Sequence, residues 1–364
     1  ILTLAVLMLL AGTIQSQEFT KGSQFCSYKK MNSPNITLFQ PYLSPAPVHS
    51  FDVLNYKLNL DIYNCFISPY PKTFSGSNEI KFRVDSTLTQ IKLYAVNTSI
   101  AIDSIRKKNG ALLTKSHASN MVTITMDRTY NPNEIVEIIV YYRHIATTND
   151  GGFYTSNGVV FTDAEPEGAR KWFPCWDRPY DKATTDITVR VPTTVKLGSN
   201  GIMVDSSVSG GALFYRWVST DPVATYLTVL TGKVNYNMDK VWWHKLSNPA
   251  DSIPIYFYYN NGENITNAKN IMPGMMTYFS QKYSEHPFQK NGFAALPSGS
   301  GFTWGGMENQ TLTSLCANCW GANLLSHEFA HQWFGDMITC ATWADIWLNR
   351  SEEHTSELQS RQVI

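Results

Sequence analysis

The chain has 364 residues and carries 29 basic and 29 acidic side chains, so its formal net charge at pH 7 is zero. The chain therefore lacks the excess of basic residues that is typical of proteins that bind nucleic acid or an anionic membrane through charge. A small uncharged or zwitterionic partner fits this composition better. The length exceeds that of a usual single domain and predicts two domains with an appendage.

The first residues of the chain are typical of an export signal. Residues 1–11 are apolar apart from Thr3, and small and polar residues follow. The apolar stretch is shorter than the roughly 18 residues of a membrane-spanning helix, so we expect no transmembrane helix in this chain. We predict a signal peptide over residues 1–16 that lacks its start, and hence a secreted, periplasmic or cell-surface protein; an N-terminal anchor or a buried strand is the alternative. Residues 17–50, rich in Ser, Pro and Asn, are predicted to be a surface linker.

Residues 51–235 show the two-residue period of half-buried strands. Leu58, Leu60 and Ile62, for example, alternate with polar neighbours. The pattern predicts strands at residues 56–62, 80–84, 91–96, 122–126, 135–142, 187–191, 213–218 and 226–230. Strands at this spacing, separated by turn residues, predict a mainly β domain, built as a sandwich or as a large open antiparallel sheet.

A second domain, of the α+β class, is predicted over residues 236–349. After a strand at residues 255–259, apolar side chains recur at helical spacing at Ile271, Met275, Met276, Phe279 and Tyr283. Such a stripe is more often core than a cofactor site, and we interpret it as core. A second helix is predicted from about Ala322 to Phe334, because Gly335 is placed to end it.

The cysteines and the glycosylation sequons leave alternatives open. Six cysteines allow fifteen pairings: Cys26, Cys65, Cys175, Cys316, Cys319 and Cys340. For Cys316 and Cys319 a local disulfide or free thiols are favoured over half a zinc ribbon or a redox pair, because no second pair has ribbon spacing and no βαβ pattern surrounds them. Sequons stand at Asn35, Asn97, Asn264 and Asn309, and they matter only in a eukaryotic source.

The second predicted helix contains the run His327, Glu328, Phe329, Ala330 and His331. Four residues are close to one helical turn, so both imidazoles project from one face and can hold one zinc ion. Glu328 lies one step round the helix, where its carboxylate can take a proton from a water activated by the metal. The run therefore predicts a metallopeptidase site, with two surface histidines on an ordinary helix as the alternative.

Four ordered motifs make the chain resemble the gluzincin aminopeptidases, the alanyl and leucyl aminopeptidase type that includes the leukotriene hydrolases. The family carries a Gly-x-Met-Glu-Asn motif about twenty residues before His-Glu-x-x-His, and here stand Gly305, Gly306, Met307, Glu308 and Asn309. Further matches lie at residues 343–349 and 169–183, of which we interpret residues 172–179 as structural. The resemblance covers roughly residues 51–349 and implies that the second domain is the truncated start of a thermolysin-like catalytic domain.

The resemblance also implies how substrate is bound. Glu308, and Glu165 of the β domain, would bind the free α-amine of a peptide, since a charge-assisted hydrogen bond favours an ammonium over an internal amide. The bare backbone of Gly305 and Gly306 would align the peptide as an added strand. Relatives usually have Gln where Asp163 stands, so we expect a different preference for the first side chain. Glu308 as a turn carboxylate and Glu165 as a solvated loop residue remain alternatives.

The end of the chain departs from the family. Arg350 stands where relatives have a Glu as third zinc ligand, and a guanidinium cannot ligate a metal, so two protein ligands remain where catalytic zinc has three. His354 as a substitute ligand is an alternative. Residues 350–364 resemble the translation of a sequencing-library adapter, and we expect a non-native tail. The prediction is a zinc aminopeptidase that is inactive as written, and the alternatives are a catalytically dead binding protein of the same fold and a thermolysin-like endopeptidase.

Overall fold

The computed structural model describes residues 49–149, 151–346 and 349. Within this part the chain is mostly β, as the alternating sequence pattern predicts. The predicted signal peptide, all of the predicted linker except residues 49 and 50, and the predicted tail lie outside the described residues. No helix in the described ranges is long and apolar enough to cross a membrane.

One large sheet dominates the N-terminal region. The strands there are β1 (Phe51–Asp61), β2 (Phe74–Val84), β3 (Leu88–Tyr94), β4 (Ile100–Lys107), β5 (Thr114–Ala118), β6 (Met121–Tyr130), β7 (Ile135–His144), β8 (Phe153–Ser156), β9 (Val159–Thr162), β10 (Ala183–Pro192), β11 (Val195–Ser199), β12 (Ile202–Ser209), β13 (Ala212–Val223) and β14 (Leu230–Val234). Seven of them form a sheet in the order β12-β13-β10-β1-β2-β7-β4. Leu58 and Leu60 of β1 are buried while Asn59 and Asp61 are exposed, so one face of the sheet covers a core.

The large sheet is antiparallel except at its centre, where β1 and β10 run parallel. A parallel pair needs a long crossover connection, and here the chain between Asp61 and Ala183, which builds β2 to β9, supplies it. The sequence prediction of an antiparallel sheet is therefore correct for the other pairs and wrong for this one. Local alternation does not reveal the direction of a partner that lies so far along the chain.

Two smaller sheets complete the sandwich, with strand orders β3-β6-β5 and β11-β14-β9-β8. Trp172 and Phe173 are fully buried in the core between the sheets, and Trp176 is nearly so. Asp177 next to them forms an ion pair with Arg170, with 2.9 Å between Oδ2 of Asp177 and Nε of Arg170. These contacts agree with the interpretation of residues 172–179 as structural.

The predicted strand at residues 226–230 is wrong. Residues Thr225–Leu227 form a short 3₁₀ turn, and β14 begins only at Leu230. Tyr226 and Leu227 are both fully buried, although neighbouring side chains of a strand point to opposite faces. The run is thus buried on every side and mostly apolar, so its composition resembles that of a strand without the strand's geometry.

The second region has the expected mixed architecture. Its elements are β15 (Asn237–His244), β16 (Ser252–Tyr259), α1 (Thr266–Lys282), β17 (Asn291–Ala295), β18 (Gly306–Met307), β19 (Thr313–Leu315) and α2 (Ala322–Ala330). The sheet has the order β15-β16-β17-β19-β18, with β18 at one edge. Met276 and Phe279 of α1 are buried, and the ring of Phe279 lies 5.6 Å from that of Phe329 on α2. The apolar stripe is thus core, as predicted.

Helix α2 ends earlier than predicted. The helix stops at Ala330, whereas the sequence predicts an end at Phe334. His331 keeps helical backbone angles (φ −60°, ψ −22°), and tighter hydrogen bonds follow, from Gln332 N to Phe329 O and from Trp333 N to Ala330 O. Gly335 then reverses the chain at φ +126°, a conformation that favours glycine. A last helical hydrogen bond runs from Phe334 N to Ala330 O, so Gly335 stands where the helical bonding ends, as the sequence predicts.

Candidate metal centre

Helix α2 brings two imidazoles together as its sequence predicts. The Nε2 atoms of His327 and His331 lie 3.4 Å apart, and both residues are buried. Two nitrogen ligands at about 2.0 to 2.1 Å from a tetrahedral zinc ion are themselves about 3.3 Å apart. The spacing of the two nitrogen atoms therefore suits one shared zinc ion.

Backbone and side-chain acceptors fix the orientation of His331. Its Nδ1 lies 3.1 Å from the carbonyl oxygen of Phe334 and 3.0 Å from Oδ1 of Asn349. Because both partners accept hydrogen bonds, Nδ1 carries the proton and Nε2 presents its lone pair, which is the tautomer that a metal requires. Asn349 is held in turn, since its Nδ2 donates to Oε1 of Glu308 at 3.2 Å. Asn349 thus links His331 at the end of α2 to the Glu308 carboxylate.

Glu328 depends on a glycine in the neighbouring strand. A Cβ atom at Gly306 would lie 2.1 Å from Oε1 of Glu328, which is far inside contact distance. Only a residue without a side chain leaves room for this carboxylate, which is fully buried. Ligand atoms of Glu308, Glu328 and His331 lie within 4.8 Å of one another. The glycine-containing motif and the helix motif, which are separate in sequence, therefore form one site.

The donor set fits zinc. Imidazole nitrogen and carboxylate oxygen are ligands that zinc takes in proteins, and the described residues place two of each here. His327 and His331 would hold the ion. Arg350, at the position that the resemblance assigns to the third ligand, lies outside the described residues.

Glu165 of the β domain shares an electrostatic partner, Tyr226, with Glu308 of the site. It is half-buried just after β9, and its carboxylate, together with those of Glu308 and Asp336, acts on the phenol of Tyr226. Burial raises the pKa of Tyr226 well above its usual value, and these carboxylates raise it further. The negative charges of Glu165 and Glu308 both disfavour ionisation of this phenol. The sequence, in which Tyr226 looked like an ordinary strand residue, did not predict its hydrogen bond to the turn after His331.

A lysine of the β domain holds the turn that follows His331. Nζ of Lys182 donates to the carbonyl oxygens of Asp336 at 2.6 Å and Met337 at 3.0 Å. The Tyr226 hydroxyl donates to the carbonyl of Gly335 at 3.2 Å. Burial lowers the pKa of Lys182, while Asp336 nearby opposes that shift. Lys182 belongs to a matched motif, so a signal existed, but its partners lie more than 150 positions along the chain.

The remaining motif residues have structural contacts. Met307 is buried in an apolar cluster with Phe161, Phe302 and Trp343. Asn309 is fully buried and donates from Nδ2 to Oγ of Ser314 at 3.2 Å. The carbonyl of Gly305 accepts from Cys316 N at 2.9 Å.

The cysteine pair lies beside this motif. Cys316 and Cys319 form a disulfide, which is one of the two predicted states. Because both sulfur atoms are bonded to each other, neither is available as a zinc-ribbon ligand in this state.

Both regions of the chain are similar to known proteins. Profiles described as the Peptidase M1 N-terminal domain and the Peptidase family M1 domain match residues 53–227 and 265–361. Aminopeptidase M1 of Arabidopsis thaliana is 31% identical over 54% of this chain and 24% of its own length. Glutamyl aminopeptidase of Homo sapiens is 31% identical over 54% of this chain and 22% of its own length. The chain thus spans about a quarter of the length of these relatives.

Solved structures share the fold. An M1 zinc metallopeptidase from Deinococcus radiodurans superposes with a TM-score of 0.71 at 24% identity, covering 83% of this chain and 68% of that one. A two-domain M1 zinc metallopeptidase bound to L-arginine gives a TM-score of 0.74 at 22% identity, covering 86% and 71% of the two chains. The two profiles together span well over half of the chain. With the His327, Glu328 and His331 helix packed against the Glu308 motif, this chain belongs to peptidase family M1, the gluzincin aminopeptidases.

Proposed function

We propose that the protein is a zinc-dependent aminopeptidase that releases N-terminal residues from peptides. The observation that carries the proposal is the convergence of His327, His331, Glu328 and Glu308 in one buried site. Zinc held by the two imidazoles would supply Lewis acidity towards a peptide carbonyl and a water molecule. Glu328 takes a proton from the attacking water, and the Gly306 backbone leaves its carboxylate the room to do so.

The carboxylates beside the metal-binding helix account for exopeptidase action. An α-ammonium group gains charge-assisted hydrogen bonds from Glu308 and Glu165, whereas the amide nitrogen of an internal peptide bond offers no charge. Strand β18, with Gly306, is an edge strand whose outer side can pair with an extended peptide. Related M1 structures bound to L-arginine and to a Tyr-Ser-Ala substrate support peptides with a free N-terminus as partners. The zero net charge argues against a nucleic-acid partner.

The chain as written is proposed to bind zinc weakly and to lack appreciable activity. The reason is Arg350, which replaces a carboxylate ligand by a cation. We expect Arg350→Glu to tighten zinc binding by more than about tenfold, because a third ligand is supplied. Metal analysis of the unaltered chain that finds one tightly held zinc ion would contradict this proposal.

The experiment that tests the enzyme uses the full-length protein with Glu at position 350. It is expected to hydrolyse aminoacyl arylamides and to leave N-acetylated peptides intact. Glu328→Gln should lower the rate by far more than about tenfold while zinc stays bound, because the proton acceptor alone is removed. A smaller loss would refute the role of Glu328, and equal cleavage of free and acetylated peptides would refute exopeptidase action.

A second candidate function is a non-catalytic binding protein of the same fold, and Arg350 is the observation that favours it. An independent genomic read across Asn349 that contains the Arg codon would support this candidate, and a Glu codon would remove its basis. Export is proposed separately, from the apolar stretch at residues 1–11 and the polar residues after it. Detection of the protein outside the cytoplasm of its own cells tests it.

A further inference from the structure

The N-glycosylation sequons, which cannot be ranked from the sequence, differ in how accessible their asparagines are in the structure. The asparagines of four sequons lie in the described residues, at Asn97, Asn264, Asn309 and Asn349, whereas Asn35 lies outside them. Asn349 is fully buried and donates from Nδ2 to Glu308, so it is not accessible to a glycan. A glycan attached to an asparagine is bulky and polar, so the folded protein tolerates it only where the amide nitrogen faces solvent. Exposure and hydrogen bonding of each amide therefore decide which sequon can be occupied.

Asn309 and Asn97 are poorly placed to carry a glycan in the folded chain. Asn309 is fully buried at the metal centre and donates from Nδ2 to Ser314. Asn97 is half-buried, donates from Nδ2 to the carbonyl of His117 at 3.3 Å, and accepts at Oδ1 from the backbone of Asn120 at 2.6 Å. A sugar on either nitrogen would displace packed neighbours.

Asn264 differs in both respects. It is exposed in the connection between β16 and α1, and within the described ranges its Nδ2 donates to no protein acceptor. Its Oδ1 accepts from the backbone of Thr266 at 3.0 Å, so the sequon forms a local turn, and Thr266 is exposed as well. The amide and the hydroxyl that define the sequon are therefore both accessible.

The loop that presents Asn264 is held in place by its neighbour Glu263. The Glu263 carboxylate accepts from the backbone of Asn260 at 2.9 Å, from the backbone of Asn318 at 2.7 Å and from Nε1 of Trp320 at 3.2 Å. Ile265 on the other side is buried in the core of the second region. Asn264 is consequently fixed at the surface between two anchored residues.

We infer that Asn264 is an N-glycosylation site and that Asn97 and Asn309 are not occupied in the folded protein. In the reaction, Nδ2 of Asn264 bonds to the anomeric carbon of an oligosaccharide on a lipid-pyrophosphate donor. The bond from that carbon to the phosphate oxygen breaks, the amide loses one proton, and the lipid pyrophosphate leaves. The inference depends on passage through a glycosylating secretory pathway and not on peptidase activity.

The test is to secrete the whole chain from a eukaryotic host behind that host's own signal, in an Asn35→Gln background, and to analyse its peptides by mass spectrometry with and without glycosidase. The expected result is one occupied site at Asn264. Thr266→Ala should abolish the mass shift, whereas Thr266→Ser should keep it, because the hydroxyl is retained. Asn97→Gln and Asn309→Gln should leave it unchanged.

Secreted, protease-resistant protein with an unmodified Asn264 would overturn the inference, as would a glycan on Asn97 or Asn309 of such protein. The Thr266→Ser variant guards against misfolding as the cause of a negative result with Thr266→Ala. Since the readout is the mass of peptides, an inactive protein with a glycan at Asn264 would refute the proposed peptidase function and leave this inference standing.

Discussion

At the residue scale, Gly306 and Glu328 are tied to one another. A β-carbon at position 306 meets Oε1, Cδ and Cγ of Glu328, all below 3.0 Å, so the carboxylate or the strand would have to move. The sequence motif shows two adjacent glycines but not which one matters or why. The structure shows that Gly306 must be a glycine because β18 packs against Glu328 of α2, although a loop and strand β19 separate the two elements in the chain.

Gly306→Ala is therefore expected to destabilise the protein by about 1–3 kcal/mol, the usual cost of overpacking a closely packed site. Gly274→Ala is the matched control, because an added Cβ there has no heavy atom within 4 Å and the position lies inside helix α1. That change should stabilise the protein by about 0.5–1 kcal/mol, since alanine is the better helix former. Chemical unfolding of both variants measures the free energies, and equal values for the two would show that the contact with Glu328 is not restrictive.

At the element scale, the turn after α2 is held from the β domain. Lys182 donates to two carbonyl oxygens of this turn, and Tyr226 donates to a third. His331 leads directly into the turn, so its orientation depends on residues of the other domain. Helical periodicity predicts the pairing of His327 with His331. It carries no information on the hydrogen bonds from Lys182 and Tyr226, because these join segments that are far apart in the chain.

Lys182→Met should cost about 1–3 kcal/mol of unfolding free energy, because it removes two charge-assisted hydrogen bonds, to the carbonyl oxygens of Asp336 and Met337. Zinc affinity should also fall, since the turn after His331 loosens. Lys92→Met, at an exposed position of β3, is the control and should change neither quantity noticeably. Unfolding and zinc titration of the two variants check this, and a Lys182→Met protein with unaltered zinc affinity would limit the role of Lys182 to stability.

At the scale of the whole molecule, buried titratable groups lie beneath the site. His286 stacks on Phe329 of α2, with ring centroids 5.6 Å apart, and its Nε2 lies 3.3 Å from the carbonyl of Lys290. Burial lowers the pKa of His286 from 6.5 to about 4, although the Lys290 carbonyl opposes the shift. The unfolded chain therefore binds a proton on this residue at a higher pH than the folded chain does.

This difference makes stability depend on pH. Between pH 6.5 and pH 4 the unfolded state holds more protons at His286, so stability falls as the pH falls through this window, by about 3 kcal/mol from this residue. His286→Phe should remove that part of the slope. Urea unfolding of both proteins at pH 7 and at pH 4 measures it, and parallel losses in the two proteins would show that His286 does not contribute. The comparison is necessary because burial raises the pKa of Asp181 to about 8, which acts in the opposite direction over the whole of this range.

The sequence by itself determined the class of the fold, the placing of His327 and His331 side by side on one helix, and the family, because alternation, helical spacing and ordered motifs are local properties. The tertiary structure alone decided the parallel pairing of β1 with β10, the turn at residues 225–227 and the early end of α2. It also decided that Gly306 leaves space for the Glu328 carboxylate and that Lys182 and Tyr226 donate hydrogen bonds to the turn after His331. Each of these features depends on contacts between segments far apart in the chain, whose free energy overrides local preference.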